Sequence, residues 1–75
     1  MPIYNVTLLN DDGVVLALCP AFPEVVSVGN TEAEALENVI EAIELAIECR
    51  LKDGEPMPEP ASPGAHGHQV TVSAQ

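Results

Sequence analysis

The residues that could carry chemistry in this 75-residue chain are two histidines, two cysteines and a run of glutamates. His66 and His68 form an H-x-H pair, and imidazole nitrogens are good metal ligands. No third ligand lies near them in a segment rich in proline and glycine, so metal binding is the weaker interpretation. Cys19 and Cys49 have apolar or acidic surroundings, which raise the pKa of a thiol and disfavour a nucleophile.

The two cysteines leave two alternatives open. They could form a disulfide if the helix passes over the strand that carries Cys19. The chain has no C-x-x-C motif and no signal peptide at its N-terminus, which favours two reduced, mostly buried thiols in a cytoplasmic protein. No apolar run approaches the roughly 20 residues needed to cross a bilayer, so we expect a soluble chain.

The glutamates follow a spacing of three and four residues, which places them on one face of a helix. They are Glu34, Glu37, Glu41, Glu44 and Glu48. Two-metal nucleases need carboxylates that converge on ions about 4 Å apart, whereas this run extends along a helix at about 5 Å per turn. The centre of the first predicted strand also lacks an acid. We therefore expect no catalytic residue, no metal, no cofactor and no enzymatic activity.

The charge of the chain limits the kinds of molecule that it can bind. Twelve acidic residues stand against two basic ones, Arg50 and Lys52, for a net charge of −10. Nucleic-acid binding draws on Lys and Arg that neutralise phosphates, so we expect no direct nucleic-acid contact. Acidic surfaces attract basic proteins, although the acids could also serve solubility alone. The candidate partner-binding residues are Asp11, Asp12, Glu24, Glu37, Glu41, Glu44 and Glu48.

The local patterns predict the element order β-β-β-α-β in a single domain, residues 1–75. Asp12-Gly13 is a strong hairpin signal, and Thr31 with Glu34 forms a capping box at a helix start. The two aromatics, Tyr4 and Phe22, are interpreted as packing residues. Strands are expected over 3–9, 14–19, 25–28 and 69–73, with a helix over about 32–52 and a loop over 54–67.

This element order predicts a small mixed sheet of α+β class, ordered 3-2-1-4, with one helix on one face. A right-handed crossover through the helix would make the last strand parallel to the first. Both faces of the first two strands carry apolar residues, yet one helix covers one face. The other face should be buried by a second molecule, as a homodimer or higher oligomer. The candidate oligomer face is Ile3, Val15 and Ala17.

Three segments together resemble the HicB-like antitoxin family. Residues Gly29–Ala42 read G-x-T-x-x-E-A-x-x-N-x-x-E-A, residues Pro20–Ser27 are similar to its P-x-x-P-G-x-x-S segment, and Gly54–Pro60 to its G-x-x-x-P-x-P tail. The resemblance implies a truncated ribonuclease H-like fold. It also implies the antitoxin of a type II toxin–antitoxin pair, which binds and covers HicA, a small basic toxin that cleaves mRNA.

The chain departs from that family pattern in two places. Family members usually carry a C-terminal DNA-binding module, and we expect none within these 75 residues. Glu24 stands where the family has glycine, a residue that often marks unusual φ/ψ or close approach. The alternative function is a solo HicB-like oligomeric interaction or regulatory module that has no toxin partner.

Overall fold

The computed structural model describes residues 2–60 and 68–72, which form one four-stranded sheet and one helix. The elements are β1 (Ile3–Asp11), β2 (Val14–Leu18), β3 (Val26–Gly29), α1 (Glu32–Asp53) and β4 (His68–Thr71). They match the predicted order, and the α+β class and the single helix are confirmed. In the described part of the chain, no helix is both long and apolar enough to cross a membrane.

The β1–β2 hairpin turns through two residues. Asp12 has a φ of 51° and Gly13 a φ of 86°, and Asp11 pairs with Val14 across the turn. Positive φ at both central residues is the type I′ arrangement, whose twist matches that of the flanking strands. The Asp-Gly hairpin prediction is therefore confirmed.

The strand order is β3-β2-β1-β4, as predicted, but every strand pair is antiparallel. Ile3 pairs with Thr71 and Val6 with His68, so β4 runs opposite to β1. The prediction that the last strand is parallel to the first is therefore wrong, and so is the prediction of a mixed sheet. The segment 54–67 between α1 and β4 is long enough for either direction, and antiparallel pairing is the slightly more stable of the two per residue.

Helix α1 begins at a capping box that differs in one detail from the expected form. The backbone N–H of Glu34 donates to Thr31 Oγ1 at 3.1 Å, as predicted. The Glu34 carboxylate accepts from the backbone N–H of Asn30 at 3.3 Å, not from that of Thr31. At the other end, Gly54 has a φ of 70° and its N–H donates to the Leu51 carbonyl. Left-handed φ is the usual reason for glycine at this position.

Strand β3 and the first turn of α1 lie in close contact at Gly29. A Cβ atom at Gly29 would lie 2.9 Å from both the Ala35 Cα and the Glu34 carbonyl carbon. These are backbone atoms and cannot rotate away. Glycine is needed here for close approach, and the fully buried Ala35 is the small residue opposite it.

Gly29→Ala should therefore lower the free energy of unfolding by about 1–3 kcal/mol, the usual cost of overpacking. Chemical denaturation measures the effect. Asn30→Ala is the matched control, because the Asn30 contact to Glu34 uses the backbone N–H and survives the substitution. Equal unfolding midpoints for the two variants would contradict a close approach at Gly29.

The exposed edge of β3 is partly closed by the helix. Asn38 Nδ2 donates to the Val28 carbonyl at 2.8 Å, so one outward-facing backbone acceptor of this edge strand already has a partner. Edge strands left unpaired invite pairing with other chains. Gly29, Thr31, Glu34, Ala35 and Asn38 thus all serve the β3–α1 junction, and much of the family-like signature is explained by folding.

The core lies between the helix and one face of the sheet. Helix α1 buries a line at four-residue spacing, Ala35, Val39, Ile43 and Ile47. Leu36 and Ile40 lie beside this line and are half-buried. The buried residues from the sheet and its loops are Tyr4, Val6, Val15, Ala17, Cys19, Phe22, Val25, Val70 and Val72.

Candidate functional site

An acidic stripe runs along the face of α1 that points away from the core. We define it as Glu37, Glu41 and Glu48, which are exposed, together with the half-buried Glu44. At 100° per residue these positions lie roughly opposite the buried line of the helix. The prediction that the glutamates share one face of the helix is confirmed, and that face is separate from the buried line. Glu34 lies on the same face, but its carboxylate accepts the Asn30 N–H.

The structure does not bring all seven candidate acids to one place. Asp11 and Asp12 are exposed at the tip of the β1–β2 hairpin. Glu24 follows the opposite end of β2. The acidic stripe brings the largest number of candidates onto one continuous surface, so it is the strongest candidate for contact with a basic partner.

Glu24 already has a partner within the chain. Arg50 Nη2 lies 3.0 Å from Glu24 Oε1 and 3.1 Å from Oε2. A hydrogen bond from its own backbone N–H and the Arg50 guanidinium hold the pKa of Glu24 below its ordinary value. Among the described residues, φ is positive only at Asp12, Gly13 and Gly54. Glutamate therefore fits the position where the similar family has glycine.

Arg50 joins the two proline-rich segments that flank the helix in sequence. Its guanidinium carbon lies 4.9 Å from the centre of the Phe22 ring, and Nη1 donates to the Pro56 carbonyl at 3.3 Å. The Phe22 and Tyr4 rings meet edge to face at 5.1 Å, and the Tyr4 hydroxyl donates to the Pro58 carbonyl at 3.3 Å. The role of Arg50 in joining these segments was not predicted from the sequence. The feature that could have indicated it is that Arg50 is the single arginine of a strongly acidic chain.

Among residues 2–60 and 68–72, nothing covers the sheet face opposite the helix, and this face is apolar along β2 and β3. The register places Leu9, Leu16 and Val28 in one row across three strands. Leu9 is 46% exposed and Val28 43% exposed. The apolar residues of this uncovered sheet face are Ile3, Leu9, Val14, Leu16, Leu18, Val26 and Val28.

Two of the three residues predicted for the oligomer face lie on the wrong side. Val15 and Ala17 are buried beneath the helix, and only Ile3 belongs to the uncovered sheet face. Residues along β2 alternate between the two faces of the sheet, and the residues on both faces are apolar. The sequence pattern therefore could not show which face the helix covers. The register pairs Ala17 with Ser27 and Val15 with Gly29, small residues that let α1 lie close to this side.

The candidate thiols and imidazoles do not form a reactive centre in the described residues. Both cysteines are free; Cys19 is buried and Cys49 is exposed, so the expectation of two buried thiols holds for Cys19 alone. Burial raises the pKa of the Cys19 thiol. His68 is exposed at the start of β4, and His66 lies outside the described residues. Residues 2–60 and 68–72 contain no group of three potential metal ligands.

Solved structures place this arrangement among HicB antitoxin domains. The N-terminal domain of the Burkholderia pseudomallei antitoxin HicB is similar over 97% of this chain and 98% of its own, with a TM-score of 0.73 and 28% identity. The whole antitoxin HicB of that organism aligns with all of this chain at a TM-score of 0.76 and 28% identity; the alignment spans 63% of the antitoxin. A chain of the HicA3 and HicB3 toxin-antitoxin complex matches with a TM-score of 0.68 and 27% identity, covering 80% of this chain and 70% of that one. The fold is that of a HicB-like antitoxin domain.

A curated relative supplies the family. UPF0150 protein ssr1765 of Synechocystis sp. is 42% identical over 60 residues, 76% of each chain. No family model matches the sequence. At that identity and coverage, the chain belongs to the UPF0150 family, and its structure makes it a HicB-like member.

Proposed function

We propose that this protein is an antitoxin that neutralises a small basic HicA-like toxin by binding to it and covering its RNA-cleaving surface. Its similarity to antitoxin HicB extends over the whole chain, and one structural neighbour comes from a toxin–antitoxin complex. The observation that carries the proposal is the acidic stripe, a row of four carboxylates, three of them exposed, on a chain with a net charge of −10.

The mechanism is charge-complementary blockade. A ribonuclease that binds RNA presents cations to the phosphates. A row of carboxylates along α1 offers the same cations an alternative anion, and complementary long-range fields speed the encounter. The chain acts by occupying the toxin surface, without a catalytic step, a metal or a cofactor of its own, and without touching nucleic acid.

The uncovered sheet face serves self-association in this proposal. Its side chains on β2 and β3 are aliphatic, and apolar surface exposed in this way marks an interaction site. The acidic stripe lies on the other side of the molecule, beyond the helix. Two chains that meet through their sheets keep their acidic stripes apart, and each chain still presents its stripe outward. A homodimer or higher oligomer would therefore display several toxin-binding surfaces.

Co-expression tests the proposed function. We expect a small basic HicA-like protein encoded beside this chain. It should arrest growth when expressed alone, and this chain should restore growth and co-purify with it. The purified toxin should cleave RNA in vitro, and a stoichiometric amount of this chain should stop the cleavage. This chain alone should leave RNA intact with Mg²⁺ or Mn²⁺. Persistent growth arrest with both proteins present would contradict the antitoxin role and favour the solo oligomeric module.

A further inference from the structure

A groove of about 300 Å³ lies between the edge of β3 and the second half of α1. We call it the β3–α1 groove. Its walls are mostly apolar, and its polar groups are one carboxylate and one thiol. The residues used below are Glu24, Val26, Ala42, Leu45, Ala46 and Cys49.

The most exposed large apolar side chain among the described residues lines this groove: Leu45 is 61% exposed. Val26 borders the groove at the edge of β3, while the alternation along the strand places its side chain on the uncovered sheet face. The small residues Ala42 and Ala46 leave space between them on the helix side. This combination suits a projecting apolar side chain better than a polar metabolite, whose site needs several convergent polar groups.

The carboxylates of the acidic stripe adjoin the groove on its helix side. Leu45 lies four residues after Glu41 and three residues before Glu48, and residues at these spacings are neighbours on a helix surface. Glu41 and Glu48 are both exposed. The carboxylate that lines the groove, Glu24, accepts hydrogen bonds from Arg50. An apolar depression therefore lies directly beside a pair of exposed negative charges.

From this juxtaposition we infer that the β3–α1 groove receives an apolar side chain of the basic toxin, while adjacent Lys or Arg residues of the toxin contact Glu41 and Glu48. The inference rests on the proposed function and locates the anchor of that interface. Charge complementarity selects the occupant, because a second copy of this acidic chain would bring further carboxylates against Glu41 and Glu48. Interfaces commonly have such an apolar anchor surrounded by polar contacts.

Cys49 provides a direct probe, since it is free, exposed and part of the groove. The HicA-like toxin should slow alkylation of Cys49 by a maleimide at least about 10-fold when the complex is saturated, as expected for a thiol buried under a bound side chain. Cys19 is buried and serves as the internal reference for unfolding. Conversely, a bulky adduct formed on Cys49 beforehand should weaken toxin binding.

Three results would overturn the inference, and they are distinguishable. Saturating toxin that leaves Cys49 equally reactive would remove the groove from the interface while the antitoxin function stands. Protection that grows with the concentration of this chain alone would show a second copy in the groove. The absence of any toxin binding would overturn the proposed function together with this site.

Leu45→Ser tests the same anchor without chemical modification. Removal of an apolar anchor side chain should raise the Kd for the toxin about 10-fold or more, a typical cost at the centre of an interface. Leu51→Ser is the matched control, because Leu51 is another exposed leucine of α1, 45% exposed, and does not line the groove. Titration calorimetry compares the two, and equal affinities would contradict the inference.

Discussion

Lysine in place of Glu37, Glu41 and Glu48 should weaken toxin binding roughly 100-fold, about 3 kcal/mol. Each exposed ion pair contributes up to about 1 kcal/mol, and reversal replaces that attraction with repulsion. The loss should fall mainly on the association rate and should shrink as salt is added. The fold should survive, because these side chains are exposed on the face of α1 away from the core. Surface plasmon resonance at two salt concentrations measures the rates.

The control is a second triple reversal with the same net charge. Lysine at Asp53, Glu55 and Glu59 also takes the chain from −10 to −4, but these exposed acids lie at or beyond the end of α1. If the acidic stripe itself contacts the toxin, the first variant should lose far more affinity for the toxin than the second. Equal losses would show that only overall charge matters, and unchanged affinity in both would remove electrostatics from the mechanism.

Lysine at both Leu9 and Val28 should convert the oligomer to a monomer, with the self-association constant reduced at least about 100-fold. These residues flank Leu16 in one row of the uncovered sheet face. Both are exposed in the single chain, so a lysine there remains solvated before association. A sheet-to-sheet interface would bury the two charges without partners, and an unpaired buried charge costs several kcal/mol. Analytical ultracentrifugation gives the mass and the association constant.

Leu51→Lys controls for the loss of an exposed leucine and the gain of a charge on the helix side. It should leave the mass unchanged. The double variant should still bind the toxin, since the acidic stripe and the sheet face lie on opposite sides of the molecule. A wild-type chain that sediments as a monomer, or a double variant that remains an oligomer, would contradict self-association through this face.

Much of the fold followed from local residue patterns because the contacts that carry it are close in sequence. The two positive φ angles at Asp12 and Gly13 close the hairpin. Thr31 caps a helix that ends at the left-handed Gly54. The period of the glutamates alone places the acidic stripe on one face of α1. Each of these features depends on residues within about four positions of one another, where spacing determines geometry.

Features that depend on distant residues could not be predicted in this way. The alternation in β4 is the same for either strand direction, so only pairing with β1 showed that it is antiparallel. Both faces of β2 carry apolar residues. Only the position of the helix showed that Val15 and Ala17 belong to the core. The pairing of Glu24 with Arg50 joins residues 26 positions apart. The β3–α1 groove likewise forms where a strand edge meets a helix.

By itself, the sequence determined the elements, the class of fold, the negative charge and the family-like signature, because each is a property of composition or short-range periodicity. Only the tertiary structure decided which sheet face is open, which acids share a surface and where an apolar depression meets them. Those facts follow from how the helix lies across the sheet, and that position depends on the shapes of residues far apart in the chain, such as Ala17, Gly29 and Ala35.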